Sequence, residues 1–292
     1  MTLADIRRLV IIAIFSDDVL FERLVLKGGN ALDLLYGIGS RTSLDIDFSA
    51  PENLLQLDQI KHRISRALED RFGARRLAVF DVEFEIRPPD AESKTLGYRV
   101  TFKIIEQERL QEIHTRVTDH QRRLDSMRKY SEVIGPAQRR TFTIDISLGE
   151  FCASAIEMDL EDYRVRVYSL EMIAIEKIRA ICQQMPEYGH RAHPTPRARD
   201  FYDVHAIVME GRVDLFSEDS LELFRNIFVA KEVPLRLLEN IPNSREFHRP
   251  DWPSVLNAIG AARQLEEFDY YFDFLVSVVR RLKSLGIVDT PS

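Results

Sequence analysis

The sequence predicts an α/β half followed by a helical half, with the change of character near residue 168, and three observations carry that prediction. Short apolar segments with strand-like patterning recur through the first 168 residues and not beyond them. From Ser169 onward apolar side chains return at helical spacing, with interruptions, as far as Leu285. The 292 residues are 45% hydrophobic and 30% charged, enough apolar material for a sizeable core. The expected division is 1–168 for the α/β core and 169–292 for the helical part, which is expected to complete the active site.

Taken in order, Asp5 to Arg23 reads as an amphipathic helix through Ile6, Leu9, Val10 and Ala13. Val25 and Leu26 lead into the pair Gly28-Gly29, after which Asn30 is a natural cap for a helix running to Gly37. Leu44-Asp45-Ile46-Asp47-Phe48 alternates apolar and acidic residues, so it is a strand with both carboxylates on one face. Glu52 to Phe72 returns to helix. Val79 to Ile86 and Tyr98 to Ile105 form a hairpin across the Pro88-Pro89 loop. Glu108 to Val133 is polar and is assigned to a helix or a long excursion. Phe142 to Ser147 is an alternating strand carrying Asp145, and Tyr163 to Tyr168 is a further strand. Ser169 caps the next helix, with Met172, Ile173, Ile175, Ile178 and Ile181 as its stripe. A loop over 185–196 then precedes a helix from Arg199 to Val208.

Composition removes several function classes. Forty Lys and Arg against 47 Asp and Glu leave a net charge of −7, so bulk attraction to polyanions is disfavoured and any nucleic-acid contact needs a local basic patch. Two cysteines support neither a disulfide framework nor a cysteine metal site. The apolar run Leu9 to Phe15 is about half the length that would span a bilayer. The chain is expected to be cytoplasmic, without a membrane partner.

Asp45 and Asp47, two apart on a strand, place like charges side by side, an arrangement that a divalent cation relieves. Asp145, on a later strand, can add a third oxygen donor. Gly28-Gly29 permits close backbone approach and offers N–H groups to a phosphate. By itself Asp-x-Asp is more often a solvated strand face, and a lone glycine pair an ordinary turn. Together they favour metal and phosphate.

The segment Lys27 to Leu32, followed by Arg41 to Phe48, resembles the first motif of the AbiEii/AbiGii toxin family, nucleotidyltransferase-like proteins of the DNA polymerase β superfamily. Glu176-Lys177-Ile178-Arg179-Ala180 resembles that family's helical lysine motif, and Arg197 to Val204 its Arg-x-(Lys/Arg)-Asp-x-x-Asp motif. The matches run from about residue 25 to 207. Asn30 departs from the Thr or Ser that many relatives carry after the glycines.

The resemblance implies a nucleotidyltransferase-fold mixed sheet with flanking helices. It implies transfer of a nucleoside monophosphate from an NTP to an acceptor hydroxyl with Mg²⁺ or Mn²⁺. Asp45 and Asp47, with Asp145 by its strand context, would hold metal. Lys27, Gly28, Gly29, Asn30, Arg41, Ser43, Lys177 and Asp203 would contact the nucleotide, and Asp45, Asp47, Lys177 and Asp200 would be catalytic. The role implied is the toxin of a toxin–antitoxin or abortive-infection (phage-defence) pair, with a cognate antitoxin as partner and RNA, by analogy the 3′ end of tRNA, as acceptor. Asp200 and Asp203, being i and i+3 on one helical face, could instead pair with Arg197, Arg199 or Lys177 and orient the lysine, a reading that weighs more for Asp203 than for Asp200.

Two rival readings stay open: a small-molecule (aminoglycoside-type) nucleotidyltransferase and a non-catalytic NTP-binding protein. The stretch from Arg116 to Arg140 carries seven cations against Asp119, Asp125 and Glu132, and is the best candidate for an RNA backbone contact. His190 and His193 have no third ligand nearby and read as solvated loop. Phe268, Tyr270, Tyr271, Phe272 and Phe274 read as core of the last helix.

Overall fold

A computed structural model describes residues 2–38, 45–51, 57–87, 96–134, 138–191, 193–259 and 264–288. The chain forms two compact units. One comprises Met1–Asn30 and Ser43–Val167; the other comprises Ala31–Thr42 and Tyr168–Ser292.

The first unit is built on a seven-stranded mixed sheet. Its strands are β1 (Val25–Lys27), β2 (Asp45–Ser49), β3 (Leu77–Arg87), β4 (Gly97–Glu106), β5 (Phe142–Ser147), β6 (Ile156–Leu160) and β7 (Tyr163–Val167), in the order β3-β4-β5-β2-β1-β7-β6. β2 runs parallel to β5 and β1 parallel to β7, while the remaining neighbours are antiparallel. The expected mixed α/β sheet with flanking helices is what forms.

Alternation gives this sheet two faces of different chemistry. On one, Ile46, Phe48, Phe102, Phe142, Ile144 and Ile146 are buried. Helix α1 (Leu3–Phe15) covers part of that face, with the Phe15 ring edge-on to Phe48 at 5.8 Å. Helix α4 (Leu57–Gly73) covers more of it, with Phe72 edge-on to Phe102 at 6.1 Å. Truncating Phe48 to alanine here would cost about 3–5 kcal/mol. The other face carries Asp45, Asp47, Thr143 and Asp145.

Local chemistry explains the departures from the sequence reading. The helix expected from Asp5 to Arg23 breaks at Ser16, because the Asp17 carboxylate accepts from the backbone N–H of Val19 and Leu20 and starts α2 (Asp18–Arg23). The polar stretch after Glu108 is two helices, α5 (Gln107–Arg116) and α6 (His120–Tyr130), the second capped by Asp119. They close over a small core of Ile105, Ile113 and Met127. β6 went unassigned because Ile156-Glu157-Met158-Asp159-Leu160 is mostly exposed and pairs only with β7 at the sheet edge.

The second unit is helical. Its α-helices include α7 (Leu170–Cys182), α8 (Ala198–Glu210), α9 (Glu218–Ala230), the short α10 (Arg245–His248) and α11 (Trp252–Ile259), and the long α12 (Phe268–Ser284). Ser169 caps α7, its hydroxyl accepting from Met172 N–H at 3.3 Å. Phe201 of α8 stacks on Phe272 at 5.2 Å and meets Phe268 at 5.4 Å, so the aromatic run of α12 is chiefly core, with Tyr270 half exposed at its edge. Among the described residues no helix is long and apolar enough to cross a membrane.

Candidate functional site

The acidic face is organised by strand register. Lys27 of β1 lies opposite Asp47 of β2, Asp47 opposite Asp145 of β5, and Asp145 opposite Arg99 of β4. Side chains directly opposite one another share a face, so one row across four strands reads Lys-Asp-Asp-Arg. Asp45 sits two residues before Asp47 on the same face, opposite Thr143. The carboxylates are thus adjacent, at the cost of mutual repulsion.

Neighbouring cations relieve part of that repulsion. The Arg99 guanidinium donates through Nε and Nη2 to the two oxygens of Asp145 at 2.7 and 2.8 Å. Arg139 donates through Nη2 to Asp45 Oδ1 at 2.7 Å and to Thr143 Oγ1 at 2.8 Å. The Asp145 hydrogen bonds, with the charges of Asp145, Asp45 and Glu85, hold the Arg99 pKa above its usual value, against the effect of burial. Arg99 was not singled out in the sequence, and Arg139 entered only as one cation of the basic stretch expected to contact RNA. Arg99 carries a signal only in retrospect: it belongs to the polar alternation of β4, whose register against β5 is a long-range fact.

Gly28 begins the helical segment α3 (Gly28–Ala31), which continues as a π-type turn over Leu32–Tyr36 and ends at Gly37 in the left-handed conformation. Gly28 itself has φ +70°, and a Cβ there would lie 3.0 Å from Asp47 Oδ2. The glycine therefore admits a backbone conformation and a close carboxylate that an L side chain would resist. It brings the glycine pair directly against the Asp-x-Asp strand.

Asn30 requires a correction. It lies inside the helix rather than capping it, and its side chain is fully buried. Its amide nitrogen donates to the Asp45 carbonyl at 2.7 Å, and its amide oxygen accepts from Arg7 Nη1 at 3.0 Å. An amide so engaged ties the glycine turn to β2. Lys27, also expected at the nucleotide, is paired with Glu150 at 3.3 Å. Arg41 and Ser43 lie outside the described residues.

Oxygen donors of this kind suit a hard divalent cation, and Asp45 and Asp47 with the open backbone at Gly28 are the pair placed to hold one. Asp145 has both oxygens on Arg99, and among the described residues no three His, Cys, Asp or Glu side chains converge as a metal cage.

In the second unit, Lys177 of α7 donates to Asp200 Oδ1 at 3.0 Å and to Asp203 Oδ2 at 2.6 Å, both on α8. Arg197 also bonds Asp200. The two acids are buried at 6% and 4% side-chain exposure. Burial alone would raise the Asp200 pKa, but the charges and hydrogen bonds of Arg197 and Lys177 outweigh it and hold the carboxyl well below its usual range. Both acids therefore bond the lysine, the pairing that the i, i+3 spacing allowed. One N–H of the Lys177 ammonium keeps no described partner.

His248 completes this network from behind. Buried, it accepts the Arg197 backbone N–H on Nδ1 at 3.0 Å, and burial lowers its pKa to about 4. No feature of the sequence pointed to it.

The basic stretch from 116 to 140 changes meaning in three dimensions. Arg123 bonds the Val117 carbonyl, Arg128 bonds Asp81, Arg139 bonds Asp45 and Arg140 bonds the Ser131 carbonyl. Four of its seven cations thus serve internal contacts. Arg116 and Arg122 line an open cleft with Asp119 and Asp125.

Two solved structures resemble the chain distantly. One is the crystal structure of JHP933 from Helicobacter pylori, 15% identical, covering 98% of this chain and 96% of that one with a TM-score of 0.49. The other is an antigenic nucleotidyltransferase-like protein from Paracoccidioides brasiliensis, 14% identical, covering 86% and 92% with a TM-score of 0.36. No curated protein matches the chain. A family model does, over residues 10–274, a span that includes the glycine pair, the Asp-x-Asp strand, Lys177 and the Arg197–Asp203 motif. The chain belongs to the AbiEii nucleotidyl transferase toxin family of type IV toxin–antitoxin systems.

Proposed function

We propose that this toxin transfers a nucleoside monophosphate from an NTP to the 3′-hydroxyl of an RNA, tRNA by analogy with relatives, and that a cognate antitoxin restrains it. The observation that carries the reading is the juxtaposition of Gly28 with Asp47, beside Asp45, on one sheet face of a family member.

Asp45 and Asp47 would hold the divalent ion, Mg²⁺ or Mn²⁺, which would polarise the α-phosphate and support the departing pyrophosphate. The Gly28-Gly29 backbone gives the triphosphate room to approach and is assigned amide contacts to it. Asn30, bonded to the Asp45 carbonyl, keeps the strand and the turn in register. Lys177, fixed by two carboxylates, is assigned the neutralisation of phosphate charge in the transition state. In the reaction the acceptor hydroxyl gives up its proton to solvent, its oxygen forms a bond to the α-phosphorus, the bond from that phosphorus to the α,β-bridging oxygen breaks, and pyrophosphate leaves with the electron pair.

The test is incubation with each α-labelled NTP in turn and total bacterial RNA. Label on RNA with wild type, lost in a folded Asp45→Ala variant, supports the reading. Label on a small cationic acceptor, with none on RNA, would move the assignment to small-molecule modification.

A further inference from the structure

The third carboxylate of the acidic face does not behave like its neighbours. Asp145 has a guanidinium across both oxygens, in the planar two-bond geometry that arginine and carboxylate favour. Register makes this pairing intrinsic to the fold, since Arg99 and Asp145 are direct cross-strand partners. Arg99 is part-exposed at 36%, and its Nη1 bonds no described residue. Seen from the acidic face, the row therefore offers two carboxylates on β2 and a fixed positive charge where a third metal-binding carboxylate would act. A guanidinium and a divalent ion compete for carboxylate lone pairs, and the Arg99 guanidinium takes one lone pair on each oxygen of Asp145 and neutralises the charge that would draw a metal.

We infer that this chain works with one divalent ion, on Asp45 and Asp47, and that Arg99, positioned by Asp145, replaces a second ion by binding a phosphate oxygen of the nucleotide. The inference rests on the transfer reading above and sharpens it: Asp145 is a positioning residue and Arg99 a substrate-binding one. Arg139 has a different part. Anchored by Thr143 and the Thr141 carbonyl as well as Asp45, it neutralises Asp45 until metal arrives.

The experiment counts ions. Mn²⁺ is titrated onto wild type by electron paramagnetic resonance, with the α,β-methylene analogues of ATP, GTP, CTP and UTP in turn, and analogue affinity is measured by calorimetry. One Mn²⁺ per chain is expected for wild type. Arg99→Met should weaken the analogue about tenfold and, by freeing Asp145, admit a second Mn²⁺. Asp145→Asn should keep one Mn²⁺ and weaken the analogue through loss of Arg99 positioning. Arg99→Lys, which retains charge but not the two-bond geometry, guards against misfolding and should fall between wild type and Arg99→Met in affinity. Two ions on wild type, or undiminished analogue affinity in folded Arg99→Met, would overturn the inference while leaving nucleotidyl transfer standing. Absence of any analogue-dependent Mn²⁺ on wild type would overturn both.

Discussion

Replacing Lys177 with alanine should unfold the helical unit more easily as well as silence the site, and the size of that effect follows from the burial of its partners. Asp200 and Asp203 are at 6% and 4% side-chain exposure, with the ammonium 3.0 and 2.6 Å away. Removing one partner of a buried ion pair costs about 3–5 kcal/mol, mostly the penalty of the charge left behind. Arg197 still bonds Asp200, so the loss belongs at the lower end, about 3 kcal/mol. With a urea m-value of about 2 kcal/mol per molar, the unfolding midpoint should drop by about 1.5 M. Lys177→Met combined with Asp203→Leu removes both charges and should recover most of that drop, since apolar packing replaces a buried pair at little cost. Urea titration followed by far-ultraviolet circular dichroism measures both variants. A Lys177→Ala midpoint within about 0.3 M of wild type would refute the reasoning, because a buried carboxylate cannot lose its amine so cheaply. The same result decides how a toxicity screen is read: loss of toxicity in Lys177→Ala reports catalysis only when the protein remains folded, whereas Asp45, more exposed, gives a cleaner variant.

Gly28→Ala should destabilise by about 1–2 kcal/mol through its left-handed backbone, and should displace Asp47, so its melting temperature and its Mn²⁺ affinity should fall together. Asp45→Ala should relieve growth inhibition in cells expressing the toxin while the purified protein keeps its wild-type melting curve; retained toxicity would point to sequestration of a partner. Asn30→Leu removes the link between the Asp45 carbonyl and Arg7 and should cost about 1–3 kcal/mol, read as a lower melting temperature. His248 is neutral in the fold, with its pKa lowered to about 4 by burial, and the unfolded chain takes up that proton near pH 6.5. Stability is therefore complete above about pH 6.5 and is lost as pH falls towards 4, by up to about 3 kcal/mol, because a proton on Nδ1 would face the Arg197 N–H. His248→Gln should flatten that dependence, and parallel melting curves for the two proteins between pH 4 and 7 would contradict it.

The parts of this fold that were legible in the sequence are those set by local pattern. Period two around Asp45 and Asp145 placed both strands, and Ser169 with its apolar stripe placed α7. The Asp200–Asp203 spacing allowed pairing with Lys177 before any coordinate did. What stayed hidden depends on contacts distant in the chain. Arg99 meets Asp145 across 46 residues and Arg139 meets Asp45 across 94, and no local pattern encodes either register. Asn30 looked like a cap because of the glycines before it, yet the partner that decides its role is a carbonyl on β2. The basic run before residue 140 looked like a polyanion surface by count, whereas Asp81, Asp45 and two backbone carbonyls draw four of its arginines inward.

The claim that Asp45 and Asp47 support nucleotidyl transfer is tested most directly by following two labels of one NTP. Wild type should move the α-phosphorus label onto RNA and leave the γ label in released pyrophosphate, with both signals abolished in a folded Asp47→Asn variant. Transfer of the γ label to RNA, or undiminished α-label transfer by Asp47→Asn, would contradict the account.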